Sequence, residues 1–303
     1  MPELPDVAIY VERMEALLRD QPIEAVELRN PFLLRSVNPP LAEVGGRRVR
    51  GARRLGKRII LTLDDDLHLV IHLMIAGRLR WRPIAKPMHG KLVQAVFRFP
   101  EGLLHLTEAG TTRRASLHLA RGEAALAAFD RGGLEVLTAT ADAFTARLRL
   151  ENHTLKRALT DPRLLSGIGN AYSDEILHRA RLSPLQLTSR LDAAECARLF
   201  TATRAVLGEW TERLRREVGD GFPEEVTAFR EGMAVHGRHG QPCPDCSAPV
   251  QRIRYADNET NYCAACQTGG RLLADRALSR LLRGDWPRSL AELEELPGRQ
   301  AGG

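Results

Sequence analysis

Four cysteines form the sharpest chemical pattern in the chain: Cys243-Pro-Asp-Cys246 and Cys263-Ala-Ala-Cys266, two C-x-x-C pairs sixteen residues apart. Two such knuckles offer four thiolates in the set a tetrahedral zinc ion takes. Redox dithiols or disulfides are the competing uses of the same residues. A four-thiolate site leaves zinc no open position, so the metal would hold structure rather than perform chemistry. A second candidate is the N-terminus, Met1-Pro2-Glu3. Loss of Met1 would expose the secondary amine of Pro2. An α-amino group has a pKa near 8, so a useful fraction is neutral at physiological pH. Such an amine can attack the C1′ of a nucleotide and form an imine. The imine acidifies the C2′ proton and permits loss of the 3′ phosphate, while the adjacent Glu3 carboxyl is placed to protonate the sugar oxygen. A Met-Pro start is common, so this triplet decides nothing alone. The third candidate is a shortage: among 44 lysines and arginines only Lys57, Lys86, Lys91 and Lys156 are lysine. A lysine kept in that background marks a place where a compact ammonium outperforms a guanidinium, or is there by chance.

These residues need a scaffold. The 303 residues suffice for two domains and a small module. Hydrophobic residues at 44% and charged residues at 27% are ordinary for a globular chain. No apolar run reaches the roughly 18–20 residues of a membrane span, and the first residues lack the pattern of a secretory signal. A cytoplasmic location and no membrane partner are expected. The net charge of +6 and pI near 9.3 favour a polyanionic partner. Residues 5–18 carry Val7, Tyr10, Val11, Met14, Leu17 and Leu18 at helical spacing. From about 22 to 120, short apolar runs (59–63, 68–73, 93–99) alternate with Gly, Pro and Asp clusters and predict strands, with turns at Gly45-Gly46 and Pro100-Glu101-Gly102. Residues 125–218 read as helical, with a glycine-rich break at 161–170 and a new helix over Tyr172–Ala180. Cys196, in a helical stretch, reads as a buried structural thiol. Val250–Arg254 alternates like one strand of a hairpin. A last helix is expected over 271–290, with Leu272, Leu273, Ala277, Leu278, Leu281 and Leu282 apolar, and a frayed end over 297–303. The chain is thus α+β and multidomain, with boundaries expected at 1–122, 123–232, 233–270 and 271–303.

Five segments together resemble the formamidopyrimidine-DNA glycosylase and endonuclease VIII family. They are Met1-Pro2-Glu3-Leu4-Pro5-Asp6-Val7; Gly56-Lys57-Arg58; His72 to Leu79; Gly167-Ile168-Gly169-Asn170-Ala171-Tyr172-Ser173-Asp174-Glu175; and Val235 to Cys243. They follow the family's order from residue 2 to about 267. The resemblance implies an N-terminal helix plus β-sandwich, a helix–two-turns–helix domain and a C-terminal zinc finger. It implies Pro2 as imine-forming nucleophile, Glu3 as proton donor and Lys57 as a phosphate contact that assists β-elimination. Asn170 and Lys156 match positions that bind phosphates flanking a lesion, and His89 matches a DNA-contacting histidine. Ile75 stands at the wedge that enters the base stack. Cys243, Cys246, Cys263 and Cys266 would hold structural Zn2+. The implied partner is double-stranded DNA with damaged bases or abasic sites, met by a monomer in a bacterial-type cytoplasm, at the nucleoid while acting.

The chain departs from the family pattern in five places. Asp6 stands where the family usually has Glu. Ile75 replaces the wedge methionine. The usual arginine–phenylalanine partners are replaced by Glu108 to Arg114, with Arg113 or Arg114 to fill the vacated stack. Asn258, within Asp257 to Tyr262, replaces the finger arginine tied to δ-elimination, leaving Arg252 or Arg254 as substitutes. The stretch Glu224–Ala234 is short for the loop that closes over oxidised purines. The expected activity is a bifunctional glycosylase and abasic-site lyase of base excision repair. A non-catalytic zinc-finger DNA-binding protein and a zinc-ribbon protein-interaction factor are the alternatives. Lesion class and opposite base stay open. The catalytic reading requires an unblocked terminal imino group, and it fails if the Pro2 ring lies buried under protein and far from any cationic groove.

Overall fold

The computed structural model describes residues 1–110, 112–254, 258–274 and 287–294. Helix α1 (Leu4–Leu18) starts after an extended Glu3. Pro5 suits a first turn, where its missing N–H costs nothing. The Asp6 carboxylate accepts the Glu3 N–H at 2.9 Å, closing the turn from the other side. Leu4, Val7, Tyr10, Met14 and Leu18 are buried on one face, each worth about 1.5–3 kcal/mol on full burial. Val11 and Leu17 flank that face, half-buried.

Eight strands follow: β1 (Ala25–Leu28), β2 (Val49–Leu55), β3 (Arg58–Leu63), β4 (Leu67–His72), β5 (Gly77–Arg82), β6 (Val93–Phe99), β7 (Gly102–Glu108) and β8 (Ser116–Arg121). They form two antiparallel sheets, ordered β2-β3-β4-β8 and β1-β6-β7-β5. The period of two explains the layering. Ile59, Leu61 and Leu63 face inward and share one core with Phe97, Phe99, Leu104, Leu106 and the buried face of α1. Ile60 and Val70 point the other way, under Leu126 of the short helix α2 (Glu123–Leu126) and Phe129. This is the expected sandwich. Both expected turns are present: Gly46 is at φ +80°, and Phe99 pairs with Gly102 across the Pro100-Glu101 loop.

The first compact unit comprises Met1–Gly133 and Gly208–Ala228. The later segment packs on α1: Phe222 lies against Tyr10 with ring centroids 5.7 Å apart, and Arg215 donates to Glu12 at 2.6 and 2.8 Å.

The second unit comprises Leu134–Leu207 and Phe229–Gly303. It holds α3 (Ala141–Leu148), α4 (Leu155–Thr160), α5 (Asn170–Ala180), the first part of α6 (Ala193–Val218), the hairpin β9 (Val250–Arg254) and β10 (Glu259–Cys263), α7 (Ala264–Thr268) and α8 (Leu290–Glu294). Thr140 and Thr154 cap α3 and α4 by accepting the Ala143 and Arg157 N–H groups. Between α4 and α5 the chain makes two turns, with Leu134 bridging Leu165 and Gly167 at φ +81°. This is the helix–two-turns–helix arrangement. Cys196 is buried in α6, as expected.

The C-terminal expectation needs correcting. Arg271 to Ala274 are not helical; Leu272 donates to the Arg288 carbonyl and Leu290 to that of Gly270, in an antiparallel bridge. Leu272 and Leu273 pack against Tyr262, whose hydroxyl accepts the Leu273 N–H at 2.7 Å. Ala277, Leu278, Leu281, Leu282 and residues 297–303 lie outside the described residues. No described helix is long and apolar enough to cross a membrane.

Candidate active site, phosphate-binding helix and zinc finger

The N-terminus is set in a charged corner of the first unit. Pro2 is buried and Met1 half-buried, and Glu3 is 2% exposed. Burial lowers the pKa of the terminal amine from its ordinary value near 8; Glu3 and Asp6 oppose that shift, while Arg78 and Lys57 add to it. The amine therefore lies within the field of two cations and two carboxylates, although the Pro2 ring itself is covered. Lys57 is half-buried in the two-residue turn between β2 and β3, after Gly56 at φ +60°. Asp6, the shorter acid, is used as the α1 cap described above.

The wedge turn is built for close approach. Gly77 N–H donates to the Leu73 carbonyl at 2.9 Å. A Cβ at Gly77 would stand 2.3 Å from that oxygen, so only glycine fits. Met74, at φ +53°, completes the reversal. Ile75 is left 57% exposed at the apex. Arg78 braces the turn from within, donating to the carbonyls of Ile75, Gly77 and Val226 at 3.1, 2.7 and 2.6 Å. Its neighbours Arg80 and Arg82 grip Glu224 at 2.6–2.8 Å, which pins the start of the short 224–234 stretch to β5. At the end of β7 the buried Glu108 accepts the backbone N–H groups of Arg114 and Ala115 at 2.7 and 3.0 Å. Arg113 is exposed, and one nitrogen of its guanidinium donates to the Lys91 carbonyl at 2.7 Å. The Arg114 side chain is exposed. His89 is exposed in the β5–β6 connection, as are Lys86 and Lys91.

His72, which the sequence reading passed over, pairs with Arg58 across β3 and β4. Burial, with Arg58, Lys57 and His118 nearby, drops its pKa to about 4. It is a neutral imidazole beside Lys57 and Arg58.

In the second unit the start of α5 gathers the other candidates. The half-buried Lys156 directs two of its three donors to the Asn170 carbonyl at 2.7 Å and the Asp174 carboxylate at 2.5 Å. Asp174, fully buried, also accepts from His236 Nδ1 at 2.8 Å and the Asn261 N–H at 3.1 Å. Glu175 takes the N–H groups of Ala234, Val235 and His236 at 2.7–2.9 Å. Asn170 Nδ2 donates to the Glu259 carbonyl at 2.9 Å. Asp174 and Glu175 are thus the organising acids of this unit. The signal was available: Asp174 lies one helical turn past Asn170. Asn258 is exposed just before β10. Arg252 stands 3.7 Å from Glu259, and Arg254 pairs with Glu259 in register. Asp257 lies outside the described residues.

The four cysteines converge. Their sulfurs all lie within 4.8 Å of one another, with Cys246–Cys263 at 3.4 Å and Cys243–Cys266 at 3.9 Å. A disulfide would need about 2.05 Å. Four sulfurs each about 2.3 Å from a tetrahedral zinc stand roughly 3.8 Å apart, so the donor set fits zinc. Burial first, with the neighbouring cysteines, pushes the Cys263 thiol up to about 11; a divalent cation would let that thiol ionise at neutral pH.

Family models match in three consecutive stretches: the formamidopyrimidine-DNA glycosylase N-terminal domain over residues 1–115, the H2TH domain of the same family over 134–217, and the zinc finger found in FPG and IleRS over 240–269. The chain belongs to the formamidopyrimidine-DNA glycosylase family. It is 34% identical to the formamidopyrimidine-DNA glycosylase of Thermus thermophilus over 283 residues, 89% of this chain and all of that one. A formamidopyrimidine-DNA glycosylase-like protein of Mycobacterium tuberculosis is 40% identical over 151 residues, covering 50% of this chain and 94% of its own. The family fold also matches the solved Lactococcus lactis FPG bound to DNA containing an oxidised pyrimidine, with TM-score 0.77 and 25% identity over 88% of this chain and all of that one. The resemblance drawn from the sequence is therefore correct for family, for fold and for the zinc finger.

Proposed function

We propose that this chain is a bifunctional DNA glycosylase and abasic-site lyase acting on double-stranded DNA that carries damaged bases or abasic sites. The observation that carries the reading is the N-terminus, set in the field of Glu3, Asp6, Arg78 and Lys57. With Met1 removed, the Pro2 nitrogen becomes the terminal amine and forms a bond to C1′ as the glycosidic bond breaks, the base leaving with the electron pair and taking up the proton that the nitrogen sheds. Glu3 protonates the ring oxygen as the sugar opens, leaving an iminium ion (the cationic imine) at C1′. Loss of the C2′ proton then expels the 3′ phosphate, with Lys57 holding the phosphate in place. Neutral His72 adds no charge to that corner, and Arg78 supplies one of its two cations.

Asn170 and the remaining donor of Lys156 supply phosphate contacts at the start of α5, where the helix dipole favours an anion. Ile75 enters the stack, and Arg114, whose neighbour Arg113 is engaged, fills the space of the extruded base; wedge and phosphate contacts offset a few kcal/mol of base flipping. His89 lies on the same DNA-facing reading. Zinc, held by Cys243, Cys246, Cys263 and Cys266, maintains the finger. We assign the functional segments to 1–122, 123–232, 233–270 and 271–303, in a monomer of the bacterial cytoplasm. The solved relative bound to oxidised-pyrimidine DNA and the family name support oxidised and ring-opened bases as the lesion class. Release of a base from a panel of single-lesion duplexes, followed by strand nicking, tests the proposal. Glu3→Gln should suppress base release. A protein that binds these duplexes with steep salt dependence yet releases no base and nicks no abasic site would instead be the non-catalytic binder.

A further inference from the structure

Helix α5 meets the cysteine module along one ridge. Asn170, Asp174 and His178 stand at i, i+4 and i+8 and share one side of the helix. Asn170 donates to the Glu259 carbonyl, and Asp174 accepts from Asn261 and His236. His178 continues the row: its Nε2 lies 3.3 Å from the Sγ of Cys243. The first two contacts hold the hairpin and the entry to the finger; the third reaches a metal ligand itself. His178 is 3% exposed and Cys243 2%, so little water competes for either group. A zinc-bound cysteine is a thiolate and can only accept, so the shared proton must be on Nε2. The Asp245 carboxylate stands 3.9 Å from the same nitrogen, beyond hydrogen-bond range.

We propose that His178 is a positioning residue of the zinc centre: its Nε2–H donates to the Cys243 thiolate and holds that ligand toward the metal. This rests on the structural-zinc reading of the four cysteines. Partners that orient ligands from behind are typically worth about 10–100-fold in metal retention. A role in packing alone and a role as donor predict opposite outcomes for two substitutions. Phenylalanine keeps an aromatic ring and loses the donor. Glutamine loses the ring and places an N–H donor near the position of Nε2.

The test measures zinc release from the intact, zinc-loaded protein into excess chelator, followed with a colorimetric zinc reporter. His178→Phe should release zinc about 10–100-fold faster, and His178→Gln at close to the wild-type rate. A His178→Phe protein that keeps zinc as long as the wild type overturns the proposal, as does a His178→Gln protein that loses zinc as fast as the phenylalanine variant. Should His178→Phe fail to fold, the cobalt(II)-substituted protein gives an independent readout. The sulfur-to-cobalt charge-transfer band should match wild type in His178→Gln and move to lower energy in His178→Ala; an unmoved His178→Ala band refutes the hydrogen bond. Neither readout involves DNA, so a failed base-release assay and a failed His178 assay are distinguishable.

Discussion

Asp174→Asn isolates the polar network that sets the start of α5. Asp174 is 0% exposed and accepts from the Lys156 ammonium, from His236 and from the Asn261 N–H. An asparagine offers one acceptor oxygen and turns an amide NH2, itself a donor, toward one of these donors. Lys156, with a side chain only 13% exposed, is left without its counter-charge. Breaking a buried pair from one side costs about 3–5 kcal/mol. Losing one or two charge-assisted bonds at about 1.5–3 kcal/mol each gives the same range. At about 2–4 °C per kcal/mol for a unit of this size, the melting temperature should fall by roughly 6–20 °C. Adding Lys156→Met should recover part of that loss, because the stranded charge goes with it. Calorimetric melting of the three proteins, with affinity for an abasic-site duplex measured alongside, is the assay. A single variant melting within about 2 °C of wild type, or a double variant as unstable as the sum of the singles, would show that the network does not carry the load assigned to it.

Three further outcomes follow from the same geometry. Imine formation needs the Pro2 amine neutral, so borohydride trapping on abasic-site DNA should rise with pH, and Arg78→Gln, which removes a cation acting on the N-terminus, should move the midpoint of that rise upward; a midpoint that Arg78→Gln leaves unmoved contradicts the assigned corner. His72 has a folded pKa of about 4 against roughly 6.5 unfolded. The unfolded chain thus binds the extra proton between those values, and the contribution is complete above pH 6.5 and lost as pH falls toward 4, up to about 3 kcal/mol. Guanidinium midpoints at pH 7 and 4.5 should draw closer together in His72→Gln than in wild type. Gly77→Ala would place a Cβ 2.3 Å from the Leu73 carbonyl, costing about 1–3 kcal/mol of stability and displacing Ile75; denaturant melts should show the loss, and abasic-duplex affinity should drop with it.

Much of this was legible in the residues because each feature was local. The helix of α1, the runs that became β3, β4 and β6, and the hairpin strand at Val250 obey short periods that any window shows. The C-x-x-C pairs needed only spacing, and their convergence within 4.8 Å followed. What the sequence concealed depends on contacts across long separations. Arg78 reaches Val226 over 148 residues, Asp174 reaches Asn261 over 87, and His178 reaches Cys243 over 65; no window joins these pairs. The helix expected from 271 does not form over the described residues 271–274, because Leu272 and Leu273 suit a helical period and also suit packing under Tyr262 from an extended bridge. Likewise, the contact of Arg113 with the Lys91 carbonyl spans 22 residues, and no window shows it.

The most direct test of the account is where the covalent bond forms. Protein with Met1 confirmed absent by mass spectrometry would be incubated with abasic-site DNA and borohydride, and the trapped complex digested and sequenced by mass. The deoxyribose adduct should map to the nitrogen of Pro2, and a preparation retaining Met1 should give no such product. An adduct on Lys57 or any other lysine, or trapping undiminished with Met1 in place, would contradict the assignment of the terminal amine as nucleophile.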